Sequence, residues 1–184
     1  MIRPRLLRRA LRRSMPGLAA AVSMWLAATA SAGAQTAGCA LAVDDRNPSE
    51  KILRCGASLE VRAAAGTNYH AIDQQGSEQP KSLQLDDGAL LVEFHPSKGR
   101  RSFQILTPHA IAAVRGTRWA VEVAPERTST LVIAGRVAVS RPGAAQIVVL
   151  RPREGADVSA GEEPIVVKRW AEKRVRALLA RFGE

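Results

Sequence analysis

The sequence predicts an all-β fold, a β-sandwich or β-roll of short antiparallel strands, with one C-terminal amphipathic helix. The first observation is period-two alternation, as where Leu59 and Val61 alternate with Glu60 and Arg62. The second is that similar runs recur about every ten residues between Gly, Pro, Asn or Asp. The third is that helical periodicity begins only at residue 168. Many short strands need a second layer over their apolar faces, and both architectures supply one.

The first 34 residues are predicted to be a signal peptide. Six arginines and no acid lie within residues 1–16, an uncharged run covers residues 17–30, and Ala32 and Ala34 form a small-residue A-x-A site. This order is typical of a cleaved export signal. We expect cleavage after Ala34 and a periplasmic mature protein; an uncleaved membrane anchor is the alternative, and paired arginines leave the Sec and twin-arginine routes both open.

The net charge of +10 over 184 residues would otherwise point to nucleic acid. Cleavage removes six arginines, which leaves 21 basic and 17 acidic side chains. The remaining excess of four lies wholly within residues 168–184, so the rest of the mature chain is neutral. Its six aromatic residues form no interleaved stacking pattern, and we therefore expect no nucleic-acid partner.

Residues 35–57 are predicted to form a hairpin pinned by a Cys39–Cys55 disulfide. An oxidising compartment favours closure of a lone cysteine pair. Apolar runs at residues 41–43 and 51–55 flank a turn-like segment centred on Asn47. The alternative, a redox or metal pair, lacks C-x-x-C spacing and a histidine partner.

Residues 58–167 are predicted to form the β domain. Beyond the strand that starts near residue 58, alternation predicts strands at 82–85, 89–94, 101–106, 110–115, 118–124, 128–133, 136–140, 146–150 and 164–168. Turn residues separate them at 86–88, 97–99, 134–135 and 142–143.

Residues 168–184 are predicted to form the helix. Its apolar stripe is Ala171, Val175, Leu178, Leu179 and Phe182, with Gly183 as the stop. Its basic face is Arg169, Lys173, Arg174, Arg176 and Arg181. One interpretation is a helix docked on the β domain with solvated arginines. The other is a basic face that meets an acidic partner, anionic membrane or cell wall.

The motif core lies within residues 103–158. Its features are T-P-x-A-x-A-A-V-R-G-T from Thr107 and Pro108 to Arg115, Gly116 and Thr117, then Trp119, Thr128 with Ser129, and G-x-V-x-V from Gly135. This pattern resembles the FecR domain. The resemblance is specific over about 40 residues, weakens towards residue 158, and does not reach the cysteine hairpin.

This resemblance implies a periplasmic protein-interaction or sensory module in envelope signalling, with an unidentified envelope protein as partner. The best-known members control a sigma factor through a cytoplasmic domain and a membrane span. This sequence shows neither that cytoplasmic domain nor a convincing permanent span, so the resemblance leaves direct sigma-factor control open. The alternative function is an envelope-binding module that attaches to cell-wall glycan or anionic membrane through the basic helix.

Arg115 allows two interpretations, because a charge between apolar strands is costly unless it is paired. It could bond turn carbonyls or an acid such as Glu122 and so fix the Gly116 corner. It could instead contact an acidic partner.

Catalysis is not expected, and neither a cofactor nor a metal is implied. Nucleophile elbows, zinc-protease motifs, phosphate loops and dinucleotide fingerprints are all missing from the sequence. The histidines, His70, His95 and His109, occur in turn-like or proline-flanked contexts. No group of residues satisfies the role assignments that a catalytic site requires.

Overall fold

The structure is a computed structural model that describes residues 38–43, 51–72, 79–98 and 101–184. The predicted signal peptide, its cleavage site and the predicted turn around Asn47 lie outside these residues. No helix among the described residues is long and apolar enough to span a membrane.

Thirteen strands and one α-helix occur in the described residues, which confirms the predicted all-β class with a single C-terminal helix. The strands are β1 (Ala40–Val43), β2 (Lys51–Cys55), β3 (Leu59–Ala63), β4 (Asn68–Ile72), β5 (Ser82–Phe94), β6 (Phe103–Leu106), β7 (Ile111–Val114), β8 (Thr117–Ala124), β9 (Arg127–Ala134), β10 (Val137–Ser140), β11 (Ile147–Leu150), β12 (Glu154–Ser159) and β13 (Val167–Arg169). The helix, α1, covers Glu172–Leu179, and a 3₁₀ turn follows at Ala180–Phe182.

The strands form two layers that share β5. The first sheet has the order β1-β2-β3-β5-β8-β9-β12-β13, and the second sheet has the order β4-β5-β6-β7-β10-β11. Neighbouring strands are antiparallel, as predicted, except that β5 and β6 are parallel. Because one strand belongs to both layers, the sheet is rolled over on itself and encloses one apolar core.

The predicted turn at residues 86–88 is wrong. These residues lie inside β5, which runs on from the second sheet, where it pairs with β4, into the first, where it pairs with β8. Gly88 has a φ of 91°, and the N–H of Ala89 donates to Thr67 Oγ1 at 3.1 Å. The glycine therefore bends the strand between layers without reversing the chain.

Two further strands, β4 and β12, were not predicted. His70 lies on β4 opposite Gln84, so its predicted turn position is wrong. In β12, Ala156 and Val158 are buried and face the core. Gly155 precedes them and Asp157 lies between them, so the sequence shows too few large apolar residues for the alternation to be recognised. Long-range pairing, with β5 and β9 respectively, stabilises both segments.

The core is centred on three aromatic rings. Phe103 lies 5.9 Å from Phe94 and 6.2 Å from Trp119 between ring centroids, and all three side chains are buried. They come from β6, β5 and β8, so the rings connect both sheets. Trp119 of the motif is thus a core residue and does not reach the surface.

The C-terminal segment covers the outer face of the first sheet. Leu178 and Phe182 pack with Trp170 against Leu91 and Leu131 in a second apolar cluster. Gly183, with a φ of 72°, ends the segment as predicted. The helix is shorter than predicted at its start, because the backbone of residues 167–169 pairs with β12.

The predicted disulfide is confirmed. Cys39 and Cys55 are bonded, with their Cα atoms 4.1 Å apart, and β1 pairs with β2 in the predicted antiparallel register from Ala40 opposite Arg54. Cys55 is fully buried, so the bond joins the β1 edge to the main core.

Replacing both cysteines, as Cys39→Ser with Cys55→Ser, should lower the free energy of unfolding by about 3 kcal/mol, since the bond closes a loop of about 15 residues in the unfolded chain. Urea denaturation measures this loss. Reducing the disulfide of the unsubstituted chain should reproduce it, and a change under about 0.5 kcal/mol in both experiments would contradict the structural role.

Candidate interaction site

The FecR-like motif forms two adjacent corners at which the chain crosses between the sheets. Arg115 and Gly116 connect β7 to β8, while Gly135 and Arg136 connect β9 to β10. The hydroxyl of Thr117 holds the corners together, because it donates to the carbonyl oxygen of Arg136 at 2.9 Å and accepts from its N–H at 3.4 Å. The structure thus brings together four motif residues that the sequence predicts, namely Arg115, Gly116, Thr117 and Gly135.

Glycine is required at both corners. Gly116 and Gly135 have φ values of 85° and 86°, where side chains are disfavoured. A Cβ at Gly135 would lie 2.5 Å from the carbonyl oxygen of Gly116 and 2.8 Å from Thr117 Oγ1. The two corners can approach this closely because glycine has no Cβ at position 135.

A groove of about 660 Å³ lies beside the corners on the outer face of the second sheet. We call it the corner groove. It is lined by Ser102, Ala113, Val114, Arg115, Gly116, Gly135, Arg136, Ala138 and Val149. Ala113, Ala138 and Val149 are register partners on β7, β10 and β11, so they form one row across three strands. The row is an apolar floor whose small side chains leave the depression open.

Among the described residues of this lining, the two arginines are the only charged ones. Arg115 and Arg136 are exposed, and within the described ranges neither guanidinium makes a hydrogen bond or an ion pair. Among the described residues, Arg115 therefore bonds neither a turn carbonyl nor Glu122, the partners that one of its two interpretations predicts. Glu122 lies under the C-terminal segment and pairs with Arg181 instead.

Thr107 and Pro108 do not belong to the groove. They lie at the opposite end of β7, where Thr107 Oγ1 donates to the carbonyl oxygen of Ala110 at 2.8 Å and lies 2.8 Å from Thr128 Oγ1. Thr107 and Thr128 are buried, so these contacts fix the β6–β7 turn.

The groove residues that the sequence analysis missed are Ser102, Ala113, Val114, Arg136, Ala138 and Val149. Arg136 carried a signal, namely a charge directly after the motif's Gly135. The other missed residues have the pattern of ordinary strand residues, and nothing local distinguishes them. Val149 is 51% exposed and Ile147 is 66% exposed on β11, the last strand of the second sheet. This end of the sheet is therefore unusually apolar.

The predicted basic face of the helix is divided by internal contacts. Arg174 donates to both carboxylate oxygens of Asp157, at 2.5 and 2.8 Å, and its guanidinium lies 3.4 Å from the ring centroid of Trp170. Arg181 pairs with Glu122. Lys173 and Arg176 stay exposed.

Arg169, predicted on the helix face, is a residue of β13 opposite Glu154. That assignment was wrong because the sheet, and not the helix, takes up its backbone hydrogen bonds.

The contact between Arg174 and Asp157 changes the pKa of Asp157. Burial by itself raises the pKa of Asp157, but hydrogen bonds from Arg174 and Ser129 outweigh burial and hold the pKa below its ordinary value of 3.8. The folded state therefore gains stability above the unfolded pKa and loses it as the pH falls through the lower folded pKa.

We expect Asp157→Asn to lower the free energy of unfolding by about 1 kcal/mol at pH 7, since the half-exposed pair is screened by solvent. The difference from the unsubstituted chain should shrink below pH 4. Urea denaturation at pH 7 and pH 3 measures it, with Asp87→Asn, at an exposed position of β5, as the neutral control. A pH-independent difference would contradict the ion pair.

Among the described residues, no group of three or more His, Cys, Asp or Glu side chains is placed to hold a metal ion. His70 lies 3.5 Å from Asp86, and His95 lies 3.0 Å from Glu93, both on the exposed surface. Neither pair lies in the corner groove.

Fold and groove together define a two-layered all-β domain with a groove on its surface. Residues 50–138 match the model of the FecR protein family. The chain therefore carries a FecR domain, which confirms the resemblance seen in its motif. The match begins ahead of β2 and so includes Cys55, whereas the motif resemblance was not expected to reach the hairpin.

Two solved structures share the fold, both described as a candidate anti-sigma factor from Parabacteroides distasonis ATCC 8503. One has a TM-score of 0.52 and 22% identity over 66% of this chain and 56% of that chain. The other has a TM-score of 0.53 and 19% identity over 78% of this chain and 61% of that chain. This chain thus spans less than two thirds of either structure. No curated protein matches it.

Proposed function

We propose that this chain is a periplasmic, non-catalytic module of envelope signalling whose FecR domain binds a protein partner through the corner groove. The observation that carries the proposal is the groove itself, an apolar floor flanked by two arginines without partners in the described structure. Three motif residues, Arg115, Gly116 and Gly135, line this groove, so the motif and the candidate binding surface overlap at the two corners.

The periplasmic location is supported by two features of the chain. Residues 1–34 have the order of an export signal. The Cys39–Cys55 disulfide fits an oxidising compartment. Residues 1–34 and Cys39 lie outside the FecR match.

The composition of the groove supports binding without catalysis. Among the described residues, its lining holds one side-chain hydroxyl, that of Ser102, and no His, Cys, Asp or Glu. A serine without a neighbouring base is a poor nucleophile. An apolar depression with arginines at its edge has instead the composition that is enriched at protein interfaces.

The alternative, attachment to cell-wall glycan or anionic membrane through the helix, has less support. Arg174 and Arg181 are engaged in ion pairs with Asp157 and Glu122, and they anchor the C-terminal segment. Lys173 and Arg176 are the helix cations that remain exposed. They provide a matched control for the groove arginines, because both pairs carry two positive charges.

Fractionation and co-purification test the proposal. We expect the epitope-tagged chain in the periplasmic fraction, beginning at Gln35, together with a stoichiometric protein partner that is retained in Lys173→Gln with Arg176→Gln. Recovery in the cytosol with residues 1–34 intact would contradict the location. Salt-sensitive sedimentation with peptidoglycan or anionic vesicles, without a protein partner, would contradict the function and favour the alternative.

A further inference from the structure

We infer that the corner groove recognises an extended partner segment that carries a large apolar side chain close to a carboxylate. The apolar side chain would lie on Ala113 and Ala138, and the carboxylate would bind Arg115 and Arg136. This inference rests on the proposed function and specifies the chemistry of the partner.

The apolar part of the argument comes from side-chain size. In the row at the groove, β7 and β10 present Ala113 and Ala138. In the next row on the same face, they present Ile111 and Ser140, beside Ile147 of β11. The depression therefore exists where the floor is smallest, and a side chain the size of leucine or phenylalanine complements it. Burial of such a side chain stabilises a complex by about 1.5–3 kcal/mol.

The charge of the groove favours a carboxylate. Arg115 and Arg136 flank corners that are in direct contact, since a Cβ at Gly135 would overlap Gly116. Two guanidinium groups that line one groove repel each other, and among the described lining residues no acid offsets them. Arginine binds carboxylates through paired hydrogen bonds. An acidic side chain on the partner supplies the missing countercharge.

An extended segment fits the shape of the site better than a helix does. The floor is one row across three strands, which lie about 4.8 Å apart. The row is thus only about 10 Å long. It accommodates one apolar side chain, with an acid within two residues to reach the arginines.

A random twelve-residue peptide library displayed on phage and selected on the full chain tests this inference. We expect the enriched peptides to share an apolar residue larger than valine within two positions of Asp or Glu. Binding of the synthesised peptides should weaken about tenfold in Arg115→Gln with Arg136→Gln, the effect of losing two contacts of moderate strength. The charge-matched control, Lys173→Gln with Arg176→Gln, should stay within twofold.

Ala138→Leu occupies the groove without changing its charge, and we expect it to abolish peptide binding. Ser140→Leu adds a leucine to the same face of the same strand in the next row and should bind normally. Circular dichroism and urea denaturation establish that both variants fold. Enrichment of basic or purely polar peptides, no enrichment at all, or equal binding to both leucine variants would overturn the inference.

Size-exclusion chromatography of the same variants distinguishes a second copy as the occupant. Dissociation of a dimer in Ala138→Leu alone would overturn the inference in favour of self-association. If Ala138→Leu still captures the envelope partner in full, the groove assignment fails while the signalling-module proposal stands.

Discussion

Trp119→Ala should lower the free energy of unfolding by about 3–5 kcal/mol, the usual cost of removing a fully buried aromatic side chain. Trp119 is buried completely, and its ring lies 6.2 Å from that of Phe103 between the two sheets. The cavity would separate the layers that the shared strand β5 brings together. Equilibrium urea denaturation, followed by circular dichroism, measures the loss.

Trp119→Phe is the matched control. Trp119 Nε1 is buried and has no hydrogen-bond partner within the described part of the chain. Phenylalanine removes that unsatisfied group and keeps most of the ring contacts, so we expect a loss of about 1 kcal/mol. Equal losses in both variants, or a loss below about 1 kcal/mol for Trp119→Ala, would show that this tryptophan does not anchor the core.

Gly135→Ala should lower the free energy of unfolding by about 4 kcal/mol. About 2 kcal/mol comes from a side chain at positive φ, and about 2 kcal/mol comes from the collision with the carbonyl oxygen of Gly116. The φ of Gly135 is 86°, and the new Cβ would lie 2.5 Å from that oxygen. Because this oxygen belongs to the backbone, it cannot rotate away. Thermal unfolding monitored by circular dichroism measures the effect.

Gly143→Ala separates the two contributions. Gly143 has a φ of 74°, but a Cβ there would meet no atom within 4 Å. We expect it to show only the conformational cost, about 1–2 kcal/mol. If Gly143→Ala is as damaging as Gly135→Ala, close approach of the two motif corners does not determine the stability of the site.

Much of the fold follows from local sequence patterns. Alternation located the strands from β6 to β11 to within a few residues, and cysteine pairing located the β1–β2 hairpin. The exception at residues 86–88 has a physical reason. Asp-Asp-Gly favours positive φ at glycine, and Gly88 has it, but the same conformation serves a turn and a strand that bends between sheets. Only the strand partners of the two halves of β5, which are β4 for the first half and β8 for the second, distinguish the bend from a turn.

The site could be predicted only in part. Arg115, Gly116, Thr117 and Gly135 belong to a recognisable motif, and the structure brings them together. The groove floor could not be found from local sequence, because its residues come from three strands and meet through sheet register. Alanine and valine in strands are typical of a core, so nothing local marks them as a surface.

The helix illustrates the same limit for charge. The sequence pattern put Arg174 and Arg181 on the basic face of one helix. Arg174 lies on α1 and Arg181 in the 3₁₀ turn that follows it, and their acidic partners lie on β12 and β8, distant in sequence. An exposed basic face and a docked, ion-paired face have the same helical pattern. The ion pairs with Asp157 and Glu122 show that these two arginines belong to a docked, ion-paired face.

The central claim is that the FecR domain meets its protein partner at the corner groove, and site-specific photo-crosslinking in living cells tests it most directly. A photoreactive amino acid at Val149 lies in the groove, while one at Leu41, which is also about half exposed on β1, lies in the first sheet. We predict one crosslinked envelope protein from Val149, lost in Arg115→Glu with Arg136→Glu, and none from Leu41. A partner that crosslinks from Leu41 alone, or from Val149 equally well without the arginines, would contradict the claim.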